Sequence, residues 1–147
     1  MRVADRMRGE PIAVAPGESL GQASRLMARH RLGAVPVVRG SALVGLIAAA
    51  DLDRAHPSAA TTLTFGEIHG RLDRVRIDRV VPPAVTAVGR STPLVDAIRL
   101  MRARRLAALP VAQGDRLVGL LTEDDLLEVL AALLDEDPPP DHPRGGD

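Results

Sequence analysis

Thr122 and Asp125 stand three residues apart in "LVGLLTEDDL" (117–126), where an apolar run gives way to a cluster of acids. A hydroxyl and a carboxylate at this spacing have two uses. At a helix start they form a capping box, in which Thr122 accepts from the backbone N–H at 125 and Asp125 reaches back to position 122. Alternatively, the carboxylate accepts hydrogen bonds from a bound molecule, in the stronger charge-assisted class. The remaining polar residues give no reaction centre. His30, His56, His69 and His142 are never paired at metal-ligand spacing. Asp124 and Asp125 are adjacent, so on a helix they point about 100° apart and form no carboxylate dyad. Ser19, Ser24, Ser41, Ser58 and Ser91 lack a nucleophile-elbow context. No catalytic residue, no metal and no enzyme activity are expected.

The totals narrow the classes further. The chain has 147 residues, enough for one ordinary domain or two small units sharing a core. Apolar residues make up 46% of it, but there is one Phe and no Trp or Tyr. The core must therefore come from Ala, Val, Leu, Ile and Met. Nucleic-acid binding by base stacking lacks its aromatic platforms. Basic and acidic side chains balance at 19 each, so no global field draws in DNA or an anionic membrane. Cys is absent, which excludes disulfides and Cys-based zinc sites. No apolar run reaches the roughly 18–20 residues of a membrane span, and "MRVADRMRGE" lacks a signal peptide's apolar stretch. A cytoplasmic location is expected.

The elements that must position Thr122 and Asp125 are written twice. At a constant offset of 74, residues 3–52 align with 77–126 without a gap, and 19 of these 50 positions are identical. Two copies of one supersecondary unit is the direct reading. "LVGLIAAADL" (43–52) matches "LVGLLTEDDL" but replaces Thr-Glu-Asp with Ala-Ala-Ala, keeping Asp51 opposite Asp125.

Each copy begins with a short extended segment, "PIAV" (11–14) or "VTAV" (85–88). A helix follows. In copy 2, Thr92 suits its N-cap and Pro93 its first helical position; in copy 1 the cap lies at Glu18 or Ser19. Leu20, Ala23 and Met27, like Leu94, Ala97 and Met101, keep a helical period. The strands "AVPVV" (34–38) and "ALPVA" (108–112) come next, then turns at Gly40 and Gly114. "ALVGLI" and "RLVGLL" return, and second helices begin at Ala49 and Glu123. The expected class is α/β, with two tandem β-α-β-β-α units packed about a pseudo-twofold axis.

The expected organisation is repeat 1 over 1–56, a linker with a short helix over 57–75, repeat 2 over 76–134 and a disordered Pro-rich acidic tail over 135–147. In the linker, Phe65, Ile68 and Leu72 mark the helix, with Phe65 buried against the sheets.

"LMARHRLGAVPVV…LVGLIAAADL" and "LMRARRLAALPVA…LVGLLTEDDL" resemble a pair of CBS domains, the repeats named after cystathionine β-synthase. The resemblance covers nearly the whole chain before the tail. The inter-repeat segment "HPSAATTLTFGEIHGRL" resembles that of the acetoin-utilisation-type standalone subgroup. The resemblance implies a regulatory module that binds an adenosine compound, such as AMP, ADP, ATP or S-adenosylmethionine, between the repeats, with no required cofactor. Carried onto this chain, it implies that Asp125 and Thr122 hold the ribose. Ile12, Leu32, Gly33 and Ala34 would then surround the base, and Leu120 would close the slot. A second cleft would use Asp51 with Thr86, Leu106, Ala107 and Ala108. Its missing hydroxyl makes it the weaker of the two, since a hydrogen bond to a charged partner is worth about 1.5–3 kcal/mol. Gly33-Ala34 and Ala107-Ala108 stand where some such pairs carry basic residues, which argues against tight triphosphate binding.

"LLEVLAALL" (126–134) is apolar nearly all round, more than one exposed helix face warrants. With residues 94–104 it is expected to form a homodimer surface. A regulated partner protein is also implied, of unknown identity. The alternative is a dimerisation scaffold whose clefts bind nothing.

Overall fold

The computed structural model describes residues 1–55, 70–82 and 84–136. The expected linker helix around Phe65 and Ile68 and the expected disorder beyond 136 lie outside the described residues. Five strands and four helices are labelled here: β1 (Arg8–Gly9), α1 (Leu20–His30), β2 (Ala34–Arg39), β3 (Ala42–Ala48), α2 (Ala49–Ala55), α3 (Leu94–Arg104), β4 (Ala108–Gln113), β5 (Arg116–Thr122) and α4 (Glu123–Glu136). Short 3-10 turns at Val3–Asp5 and Ile77–Arg79 complete the frame.

The duplication is carried into the backbone. β2 and β3 form an antiparallel hairpin with Ala34 opposite Ala48, and β4 and β5 repeat it with Ala108 opposite Thr122. Both hairpins turn through a left-handed glycine, Gly40 at φ 63° and Gly114 at φ 62°, where a side chain would be strained. Both bulge at the same place, Val37/Val38 and Val111/Ala112. Both first helices end on an arginine in the left-handed region, Arg31 and Arg105 at φ 53°. The two hairpins meet at the single pair Ala42–Arg116, flanked by hydrogen bonds from Leu43 N to Asp115 O and from Leu117 N to Ser41 O. The described strands form one antiparallel sheet.

Two local expectations differ from what is found. The first strand of each copy is reduced to one parallel bridge, Val14–Val37 or Val88–Val111. In copy 1, Pro16 stands two residues after Val14 and lacks the N–H donor that the next rung would need. The start of α3 is shifted by one residue: Pro93 is the N-cap, with no side-chain cap, and Leu94 is the first helical residue. The Leu94 N–H, which has no partner within the helix, is instead taken by Met1 O at 2.9 Å. In copy 1, Ser19 caps α1 in a capping box with Gln22.

That Met1 contact belongs to a larger exchange. Residues 1–7 lead into repeat 1, but they pack on repeat 2. Val3, fully buried, joins Leu94, Met101, Leu109 and Val129 in one core cluster. Ile77, its counterpart at the head of repeat 2, is buried with Leu20, Met27, Val35 and Ile47 of repeat 1. The backbone bonds mirror each other. Val3 N donates to Thr92 O at 2.9 Å and Ile77 N to Glu18 O at 2.8 Å. Each buried anchor contributes about 1.5–3 kcal/mol of transfer energy. The leading segments thus fasten each repeat to the other.

Candidate functional site

The pseudo-twofold axis runs between small side chains. Ala34, Ala108 and Leu120 form a buried central cluster with Leu46 and Ala48 against it. Gly33 faces Ala107 so closely that a Cβ on it would come within 2.8 Å of the alanine's. From this centre the chain turns into α2 and α4 in matching ways, Ala49 N bonding Gly33 O and Glu123 N bonding Ala107 O. Both second helices therefore start beside the axis, each carrying an aspartate in its first turn.

Asp125 and Thr122 are both buried, each 7% exposed, and they form the full capping box. Asp125 Oδ2 accepts from Thr122 N and from Thr122 Oγ1, both at 2.8 Å, and Thr122 Oγ1 accepts from Asp125 N at 3.2 Å. The hydroxyl proton expected to reach a ligand is committed to the carboxylate. The other oxygen, Oδ1, accepts from Arg8 Nε at 3.1 Å. Asp51 is 6% exposed and its Oδ2 accepts from Ala48 N at 2.8 Å.

Two clefts flank the axis. One, of about 190 Å³, is walled by Ile12, Leu32 and His30 of repeat 1, by Leu120 of repeat 2 and by the segment Arg8 to Pro11. The other, of about 270 Å³, is walled by Leu46, Ala48, Ala50 and Asp51 of repeat 1 and by Pro82, Ala84, Val85, Thr86, Arg105 and Leu106 of the second half. Ile12, Leu32 and Leu120 are thus brought together as expected. Gly33 and Ala34 line neither cleft; they pack at the axis, as do Ala107 and Ala108. Thr86 and Leu106 line the second cleft with Asp51, and Thr86 Oγ1 accepts from Arg104 Nη1 at 2.9 Å.

The expected ranking of the clefts does not follow their shapes. The cleft beside Asp125 is the smaller, and neither Asp125 nor Thr122 lines it; Arg8 does. At the other cleft the carboxylate itself is part of the wall. The two sides differ at one pair of equivalent positions, Arg8 and Pro82. β1 pairs with β5, Arg8 opposite Leu120 and Gly9 opposite Gly119. Copy 2 has Pro82-Pro83 in place of Arg8-Gly9, so it lacks both the N–H donors for such a strand and the guanidinium. Sequence reasoning missed Arg8, Gly9, Glu10 and Pro11 as wall residues. The arginine-to-proline difference was visible at the same offset as the Thr-to-Ala difference.

Among the described residues no three acidic or histidine side chains gather as a metal site. None of the described helices is long and apolar enough to cross a membrane. Among the described residues every buried side-chain nitrogen and oxygen has a hydrogen-bond partner.

A duplicated unit with crossed leading segments, and an aspartate-headed helix on each side of an alanine-lined axis, defines a paired-repeat module. The CBS-domain model matches residues 3–58 and 77–132, and the chain belongs to the CBS-domain family. It is similar to the CBS domain-containing protein YhcV of Bacillus subtilis, 27% identical over 124 residues, covering 84% of this chain and 81% of that one. A Vibrio cholerae protein assigned to acetoin utilization (AcuB) superposes with a TM-score of 0.76 at 25% identity, covering 95% of this chain and 98% of that one. The fold is also that of CBSX2, solved in complex with AMP, with a TM-score of 0.70 at 23% identity over 90% of this chain and 97% of that one.

Proposed function

We propose that this protein is a cytoplasmic, non-catalytic sensor that binds an adenosine-containing compound between its repeats. One observation carries the reading. At equivalent places on either side of the axis lies a cleft with apolar side chains from both halves and a buried aspartate at the adjoining helix start. A flat base would slot between aliphatic walls, and Asp51 in the wall of the larger cleft supports a carboxylate contact to a sugar diol. Both clefts are below the roughly 300–1,000 Å³ of drug-sized ligand pockets. They suit a base and sugar, with phosphates left at the mouth, where Arg105 lines the larger cleft. The AMP held by CBSX2, a protein of the same fold, supports the ligand class.

Binding would act by favouring one of two pre-existing arrangements of the halves, and the signal would pass to a partner protein. A homodimer fits the exposed stripe on α4, where Leu127, Leu130 and Leu134 are 60%, 51% and 58% exposed. A thermal-shift screen with AMP, ADP, ATP, NAD and S-adenosylmethionine tests the reading. A ligand at 100 times its Kd adds about 2.7 kcal/mol, a shift readily seen. The double variant Asp51→Ala/Asp125→Ala should lose it.

The second reading, a dimerisation scaffold with clefts that bind nothing, has its own support. Thr122 and Asp125 are satisfied by each other and by Arg8 without any ligand. Absence of a shift with every compound would favour it.

A further inference from the structure

We propose that Thr86, its oxygen held by Arg104, is a specificity-determining residue of the larger cleft and donates a hydrogen bond to a ring nitrogen on the edge of the bound base. The inference rests on the sensor reading above and names what one of its clefts reads.

Three observations carry it. Thr86 lines the cleft of about 270 Å³ beside Val85 and Leu106. Arg104 Nη1 donates to Thr86 Oγ1 at 2.9 Å. A guanidinium has donors and no acceptor, so in this bond the hydroxyl can only accept, and its own proton is left for another group. Among the described residues nothing takes that proton. At the equivalent places of the smaller cleft, 74 positions earlier, stand Ile12 and His30, both in its wall. An isoleucine offers no donor there.

The ligand atom follows from what the proton can meet. In the sensor reading the sugar goes to Asp51 and a phosphate to Arg105, which leaves the base for the side of Val85, Thr86 and Leu106. The exocyclic amino group of adenine is itself a donor and cannot take the proton, whereas the ring nitrogens can. A bond from a cation polarises the hydroxyl and strengthens it as a donor. A site that hydrogen-bonds its ligand rejects an analogue lacking the matching atom more sharply than an apolar wall does. The larger cleft is therefore the more selective of the two toward the base.

Titration of the full chain with AMP and with its 1-deaza, 3-deaza and 7-deaza analogues, each replacing one ring nitrogen by C–H, tests this. Leucine methyl resonances separate the clefts, Leu106 reporting the larger and Leu32 the smaller. In wild type, one analogue should fill the larger cleft about tenfold more weakly than AMP through loss of this bond. In Thr86→Val, which keeps the shape, AMP should weaken by about the same factor and that analogue should lose nothing further. Arg104→Met, which keeps the length without the donors, should narrow the difference; an undiminished difference there removes the arginine from the proposal. The converse variant, Ile12→Thr with His30→Arg, should give the smaller cleft the same discrimination, so the test does not hang on one variant folding. If no analogue's loss depends on Thr86, the proposal is overturned, and the sensor reading stands on AMP binding. No AMP binding at either cleft overturns both.

Discussion

Arg8 Nε donates to Asp125 Oδ1 at 3.1 Å, joining residues 117 positions apart and tying the entry of one repeat to the last helix of the other. Without it, Asp125 would be a cap alone. With it, the same carboxylate also holds Arg8, which pairs with Leu120 between β1 and β5 and lines a cleft.

Thr122→Ala should destabilise the ligand-free protein by about 1 kcal/mol, the usual worth of a helix cap. Copy 1 shows that the backbone tolerates the change, since Ala48 stands there and its N–H is still accepted by Asp51. Urea unfolding measures the loss. A midpoint equal to wild type would mean that the Thr122 hydroxyl contributes nothing to the start of α4.

Ile77→Ala should cost about 2–5 kcal/mol, as large-to-small changes in a packed core do. The location of the damage is the sharper test. Amide exchange should accelerate first in α1 and β2, although Ile77 heads the second copy. Val3→Ala should accelerate exchange in α3 and β4 instead. Damage confined to the copy that carries the mutation would refute the crossed packing.

Gly45→Ala should cost about 1–3 kcal/mol, in the range of overpacked sites. A Cβ there would collide with Val81 Cγ1, which sits on a stiff β-branched side chain. Val81→Ala in the same chain should recover much of the loss, a coupling that a double-mutant cycle reads directly. At Gly119 the obstructing group is the flexible Met7 side chain, together with Arg8 O at 3.0 Å. Additive costs for Gly45 and Val81 would show that the two are not in contact.

Light scattering at micromolar concentration should give a dimer. Leu127, Leu130 and Leu134 share one stripe of α4 at helical spacing. Leu130→Arg with Leu134→Arg should produce a monomer with an unchanged circular-dichroism spectrum. A monomeric wild type would remove the dimer from the proposal.

The units that repeat within the chain were legible because each depends on near neighbours. Gly40 and Gly114 mark their turns, the Leu-Met helix faces keep their period, and Ala49 and Glu123 begin their helices as read. The crossing of the leading segments was not legible. Val3 and Ile77 are both aliphatic, and either core would accept either one, so their types cannot say which they enter. Arg8 escaped for a related reason: nothing local links it to an acid in the other half. The N-cap shift at Pro93 came from the same source, since the atom that satisfies Leu94 N is Met1 O. Gly33, Ala34, Ala107 and Ala108 were read as wall residues through the family resemblance. They are small because two backbones meet there.

The crossed leading segments also constrain how the molecule is made. Val3 shares its core with Val129, so residues 1–7 have no place to settle until almost the whole second half has left the ribosome. Closing the contact from Val3 to Thr92 spans a large part of the chain, and such long-range closures come late and slow folding. Residues 1–7 therefore wait unpacked during synthesis, and the second half is not finished until this segment returns to it.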